Sequence, residues 1–303
     1  MIFLKNFVLC NEDNPDREFT KSVRKFVKRN TRDEYYPLWI FFDDISQRIM
    51  HMSFSDITIL YGGNGAGKTT LLNIMAEKLE VARHKHYLHT EAFDFYISEC
   101  KHEYVGKPLV KRLIASDDIF DHILTIREEN KDVKHNKNVE RKFHWDSKYG
   151  RLYPNGVHLD FENPEGQVEI EKFRRSVGAR KVSTKQFVRS RAGEMRRQYS
   201  NGENALMFFD KAIEEDSLYF LDEPENSMSP KFQIELKGLI EDSVRHRNCQ
   251  FVIATHSPFI LALRHAKIYN LDASPVTVEQ WHKLENVRHY YDFFKTHNEL
   301  FEQ

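Results

Sequence analysis

Gly62-Gly63-Asn64-Gly65-Ala66-Gly67-Lys68-Thr69 decides how this chain is read. The stretch fits G-x-x-x-x-G-K-[ST]. Apolar sequence precedes it (Asp56-Ile57-Thr58-Ile59-Leu60-Tyr61) and TLLNIM follows from Thr70 to Met75, so the order is strand, glycine loop, helix. Glycines let the backbone wrap a phosphate chain with its N–H groups pointing inward. Lys68 is expected to reach the β- and γ-phosphates, and the Thr69 hydroxyl to ligate magnesium. The helix that starts at Lys68 and runs through Thr70 adds its positive N-terminal end. The pattern predicts ATP as ligand with Mg2+, held by Gly62, Gly63, Asn64, Gly65, Ala66, Gly67, Lys68, Thr69 and Thr70.

A second apolar run, Leu218 to Leu221, ends in two carboxylates, Asp222 and Glu223. Asp222 stands where a magnesium ligand is needed. Glu223, one residue on, points elsewhere and is suited to polarise a water for attack on the γ-phosphate. A third run, FVIAT, leads into His256, expected to contact the γ-phosphate or hold the attacking water. The bland alternatives are an acidic strand end before a proline turn and a structural histidine.

From Asn201 onward helices and strands alternate: NALMFFDKAIEE, SLYFLD, PKFQIELKGLIEDSVR, QFVIAT, PFILALR, AKIYNL. Continuous apolar strands between helices predict an α/β fold with a mostly parallel sheet covered on both faces. Near the N-terminus MIFLKNFVL reads as a strand, FTKSVRKFVKRNTR as an amphipathic helix with a basic face, and FDFYISEC as a further strand. The pattern changes between about Lys101 and Arg191. A capped helix start at Ser116-Asp117-Asp118 gives way to a charged stretch, then to aromatic and turn-rich sequence, then to a basic run. We read this as an insertion, helical first and strand-rich later. The expected organisation is residues 1–100 and 191–303 forming one ATPase domain around an inserted region at 101–190.

Composition excludes several classes. The chain has 303 residues and a net charge of −1, so it is no polycation, and any nucleic-acid contact must come from a local patch. Cys10, Cys100 and Cys249 are sparse and unpaired in spacing, which suits a reducing compartment. The N-terminus turns acidic after a few apolar residues, unlike a signal peptide, and no apolar run approaches a membrane span. A cytoplasmic protein without a membrane partner is expected.

YSNGENALMFF, Tyr199 to Phe209, sets small polar residues before an apolar helix. Ser200 and Glu203 have the spacing of a capping box. A serine and a glycine at a helix N-terminus also make a place for an anion. Because a capping box alone does not need Gly202, the anion reading is preferred.

Taken in order, the Gly62–Thr69 loop, YSNGE, LYFLDEPEN and ATHSP resemble the ABC-type ATPases. They look most like the SMC, RecF and OLD branch and its small bacterial "AAA family" ATPases, over roughly residues 1–100 and 190–303. The resemblance implies a P-loop NTPase fold of ABC type. It also implies that Ser200, Gly202 and Glu203 act on ATP held by another chain, in a homodimer or higher oligomer with ATP at the interface. Asn201 and Glu203 depart from the usual signature, and no glutamine follows FDFYISEC where a magnesium-sensing loop is expected. The role implied is ATP-driven dimerisation controlling a nucleic-acid transaction or anti-phage (antiviral) defence, with a separate effector such as a nuclease or toxin. The alternatives are the ATPase subunit of a membrane transporter and a nucleotide-gated scaffold with little turnover.

Residues 171–197 hold ten Lys and Arg against Glu171 and Glu194. The run has two readings: a backbone contact for DNA or RNA, or a solvated face whose arginines pair with the chain's own carboxylates. His84, His86 and His89 alternate without a nearby cysteine pair, a poor pattern for a metal site.

Overall fold

A computed structural model describes residues 2–9, 51–84, 91–149, 151–152, 164–192, 194–195 and 199–302. The KSVRKFVKRNTR helix expectation, Cys10, His86, His89, Arg196 and Arg197 lie outside these residues. The chain divides into two compact units, residues 1–120 with 200–303, and residues 121–199.

The first unit is built on a six-stranded sheet. Its strands are β3 (Ile57–Tyr61), β5 (Val110–Ala115), β6 (Ser217–Asp222), β7 (Gln250–Ala254), β8 (Lys267–Asn270) and β9 (Thr277–Glu279), in the order β5-β6-β7-β3-β8-β9. Every pairing is parallel except β8 with β9. Ile59, Leu60, Leu218, Tyr219, Phe220, Leu221, Phe251, Val252, Ile253 and Ala254 are fully buried. These central strands are apolar at consecutive positions because both sheet faces are covered, as a parallel sheet requires. Helices α1 (Lys68–Lys78), α6 (Asn201–Ala212), α7 (Pro230–His246) and α8 (Pro258–Leu261) alternate with them.

A smaller antiparallel sheet joins β1 (Leu4–Val8) to β2 (His51–Ser53) and β4 (Lys101–Tyr104). Gln250, fully buried in β7, ties it to the main sheet. Its Nε2 donates to the carbonyls of Leu4 and Ser55, and its Oε1 accepts from the amides of Phe3 and Leu4. A buried amide with donors and acceptor all matched stabilises where an unmatched one would cost.

Two expectations are corrected. FDFYISEC is not a strand: it belongs to helix α2 (Glu91–Glu99), and Phe93, Tyr96 and Cys100 are buried at the i, i+3, i+7 spacing of one helical face. The inserted region opens on strands and not on a helix, and the stretch expected to be strand-rich falls mostly outside the described residues. Its strands come first, β4 pairing with β1 and β5 with β6, and a long helix, α3 (Ser116–Lys148), follows. The charged stretch is the interior of α3, where exposed charges cover a solvated face.

The second unit packs α3 beyond residue 121 with α4 (Pro164–Arg180) and α5 (Thr184–Arg191). His144 is buried there. Its Nε2 lies 3.1 Å from the Val182 carbonyl, an acceptor only, so that nitrogen carries the proton. Its Nδ1 therefore accepts from the Thr184 hydroxyl at 3.1 Å. The Phe143 and Phe187 rings stack beside it with centroids 6.1 Å apart. Among the described residues no helix is long and apolar enough to cross a membrane.

Candidate nucleotide site

The site lies beyond the C-terminal ends of β3, β6 and β7, three neighbouring parallel strands. That edge is where an open α/β sheet offers loops and helix N-termini to a ligand. The loop after β3 turns through Gly65 and Gly67, at φ +84° and +87°, a backbone region that L side chains rarely adopt. A Cβ on Gly62 would stand 2.6 Å from the Ala66 Cβ, so the tight turn also excludes a side chain there. Helix α1 starts directly after Gly67, with no side-chain cap and no acidic residue in its first turn. Its first N–H groups point toward the loop with their partial positive charge unmatched by a side chain, which suits an anion.

Lys68 is buried, and its Nζ donates to the carbonyls of Gly62 at 2.9 Å and Gly63 at 3.1 Å. Thr69 donates its hydroxyl to Asp222 Oδ1 at 3.0 Å. Burial pushes the Asp222 carboxyl up to about 6, against the lowering effect of the Thr69 hydrogen bond. A divalent cation beside this pair would favour the charged carboxylate, so hydroxyl and carboxylate form a donor set that fits Mg2+.

Glu223 lies between the side chains of Lys68 and His256. Its Oε1 stands 3.9 Å from Lys68 Nζ and 3.6 Å from His256 Nδ1. The residue sits at φ 47°, and its amide donates to the Ala254 carbonyl at 2.9 Å. That cross-strand bond fixes the acid against the end of β7, and Asn226 Nδ2 donates to its Oε2 at 3.1 Å.

Sequence reasoning missed several residues around this centre. Glu225 is buried, and its Oε1 accepts from the Thr255 hydroxyl and from the amides of His256 and Ser257. Burial raises its pKa. It therefore holds the backbone of the His256 loop. Asn286, at the start of α9 (Glu285–Thr296), donates to the His256 carbonyl at 3.1 Å. Asp272, just after β8, accepts from the Gly63 amide on both carboxylate oxygens, at 3.0 and 2.9 Å. Only the second glutamate of DEPEN could have drawn attention to Glu225. Nothing local marks Asp272 or Asn286.

Ser200, Gly202 and Glu203 stand at the N-terminus of α6. The capping box is complete: Ser200 Oγ accepts from the Glu203 amide at 3.3 Å, and Glu203 Oε2 accepts from the Ser200 amide at 2.8 Å. The preference for an anion site because capping does not need Gly202 loses its force. A Cβ on Gly202 would stand 2.4 Å from Phe232 Cδ2 in α7, so helix packing by itself requires glycine there.

A family model described as "ABC transporter" matches residues 47–226, more than half of the chain. The chain belongs to the ABC-type ATPases. A second family model, described as an AAA domain and linked in its description to a type IV toxin–antitoxin system, matches residues 197–262. No curated protein matches this ATPase. Among solved structures, an inward-facing conformation of a protein assigned as a metal-chelate type ABC transporter is 15% identical. It covers 78% of this chain and 76% of its own, with a TM-score of 0.36, too loose an overlay to bear on function. As an ABC-type ATPase with a P-loop NTPase fold, the protein binds and hydrolyses ATP.

Proposed function

We propose that this ATPase is an ATP-driven dimerising switch that acts on nucleic acid. The observation that carries the catalytic half is the convergence of Lys68, Thr69, Asp222, Glu223 and His256 on one end of three adjacent strands. Lys68 and the loop amides hold the phosphates. Thr69 and Asp222 would hold Mg2+, which would supply charge neutralisation to the phosphates. Water attacks the γ-phosphorus, the bond to the β–γ bridging oxygen breaks, and Glu223 takes the proton. His256, 3.6 Å from Glu223, steadies that acid and the γ-phosphate.

Ser200, Gly202 and Glu203 complete the site of a second copy, a reading supported by membership of the ABC-type ATPases and by the exposed position of Ser200. The SMC-like branch is supported by the order of the sequence motifs, and nucleic acid as the target by the ten Lys and Arg against two Glu in residues 171–197 of a chain whose net charge is −1. The toxin–antitoxin link in the description of the model matching 197–262 favours a second, compatible reading, in which the switch controls a separate defence effector.

The test is ATP turnover with and without single-stranded and double-stranded DNA and RNA, beside mass by light scattering for wild type and Glu223→Gln. ATP-dependent dimers with nucleic-acid-stimulated turnover are expected. A protein that binds ATP, stays monomeric and ignores nucleic acid would overturn the proposal.

A further inference from the structure

The basic run does not act as one surface. Arg175 pairs with Glu140 and lies 4.2 Å over the Phe143 ring. Arg180 Nε donates to the Ser147 carbonyl at 2.7 Å. Arg191 lies 5.0 Å over the Phe187 ring. Arg175 and Arg180 hold α4 against α3, and Arg191 covers a ring of its own helix α5.

A different set of cations gathers in the same unit. Lys137 and Arg141 of α3 face Lys185 and Arg189 of α5 across an open groove of about 670 Å³. Glu194 also lines it, 3.3 Å from Arg189, with both side chains exposed. Four cations against one carboxylate leave the lining positive, and such a groove attracts a polyanion.

The charged stripe continues into aromatics. Trp145 follows Lys137 and Arg141 at four-residue spacing along α3, and Tyr149, one residue past the helix end, continues the last turn by donating its amide to the Trp145 carbonyl at 3.1 Å, so the four lie on successive turns of a row that winds slowly around the helix. The two rings are 4.4 Å apart at their centroids, and the residues are 54% and 57% exposed. Trp is seldom so exposed in a side chain that serves only packing. From residue 137 to 149 the stripe is about 18 Å long.

We propose that the groove and the Trp145–Tyr149 pair bind single-stranded nucleic acid. A positive channel follows the phosphates, and exposed rings stack on unpaired bases. A duplex keeps its base faces within its own stack and leaves the rings unused. The proposal rests on the reading that this ATPase acts on nucleic acid, and it names the strand state and the residues.

Fluorescence anisotropy with labelled single-stranded DNA and RNA oligonucleotides, and with the matching duplex, tests it on the full chain. The variants are Lys137→Glu/Lys185→Glu and Trp145→Ala/Tyr149→Ala, with unchanged circular dichroism and basal ATP turnover as controls for folding. Single strands are expected to bind tighter than the duplex. Charge reversal weakens binding at least tenfold and flattens its salt dependence, because phosphate contacts are lost. Removing the rings weakens binding about tenfold with the salt slope kept, because stacking releases no counterions. Tighter duplex binding, or wild-type affinity in both variants while turnover still responds to nucleic acid, overturns this groove and leaves the broader function standing. No binding of any nucleic acid overturns both.

Discussion

Thr69 donates its hydroxyl hydrogen to Asp222 across 3.0 Å, although the two are 153 positions apart in the chain. The bond joins the end of β6 to the first turn of α1, and it is made to a carboxyl that burial pushes up to about 6. In the metal-free protein the folded state therefore keeps a proton that the unfolded chain releases near 3.8. Between those values the native state binds more protons, so stability falls as pH rises from about 4 to about 6. The loss is on the order of 2 to 3 kcal/mol. Glu225, also raised by burial, adds to the loss with the same sign. Urea unfolding in EDTA at pH 4.5 and 7 measures it. Asp222→Asn is expected to shrink the difference, and an undiminished difference would assign it to another group.

Glu223 is the residue on which turnover depends most. Its replacement by Gln keeps the acceptor for Asn226 and removes the basic oxygen between Lys68 and His256. Turnover is expected to drop about 10²- to 10⁴-fold, while nucleotide binding stays within a few-fold of wild type. Phosphate release and titration with a fluorescent ATP analogue separate the two. More than a tenth of wild-type turnover in Glu223→Gln would remove it as the base.

How much of this was legible in the sequence depended on the range of the interaction. The phosphate loop and the acidic pair are local, because chemistry fixes residue type and spacing together, and the apolar runs at β3, β6 and β7 gave away the parallel sheet. The α2 segment misled because Phe93, Tyr96 and Cys100 lie among other apolar residues that also suit a strand. Strand β4, Lys-His-Glu-Tyr, has no apolar run to announce it. Asp272 and Gln250 act on backbone distant in the chain, at the phosphate loop and at β1. The basic run could be counted, but only packing shows that Arg175 and Arg180 join the helices while Lys185 and Arg189 line a groove.

Gly202 separates packing from recognition. Gly202→Ala forces a Cβ into Phe232 and is expected to cost about 1 to 3 kcal/mol. The double variant Gly202→Ala/Phe232→Leu gives the methyl group room and should recover much of that loss in thermal unfolding. Its ATP-dependent dimerisation, followed by light scattering in the Glu223→Gln background, then reads recognition alone. Failure to dimerise despite restored stability supports a role on the second copy's ATP. Dimers like those of the parent would leave Gly202 with packing only.

Asp272 opposes the ligand that the loop is built for. Both its carboxylate oxygens take the Gly63 amide, and its own backbone is held by a bond from its amide to Asn270 Oδ1 at 3.0 Å. A negative side chain fixed on the phosphate loop repels an incoming triphosphate and stabilises the loop without one. Asp272→Asn keeps an acceptor for Gly63 and removes the charge. ATP binding is expected to tighten several-fold at low salt, where tenfold corresponds to about 1.4 kcal/mol. The gain should shrink as ionic strength rises, because screening weakens the repulsion that was removed. Titration calorimetry at two salt concentrations measures both effects. Weaker binding in the variant at either salt concentration would mean that Asp272 acts by shaping the loop around Gly63, and that its charge is not what limits affinity.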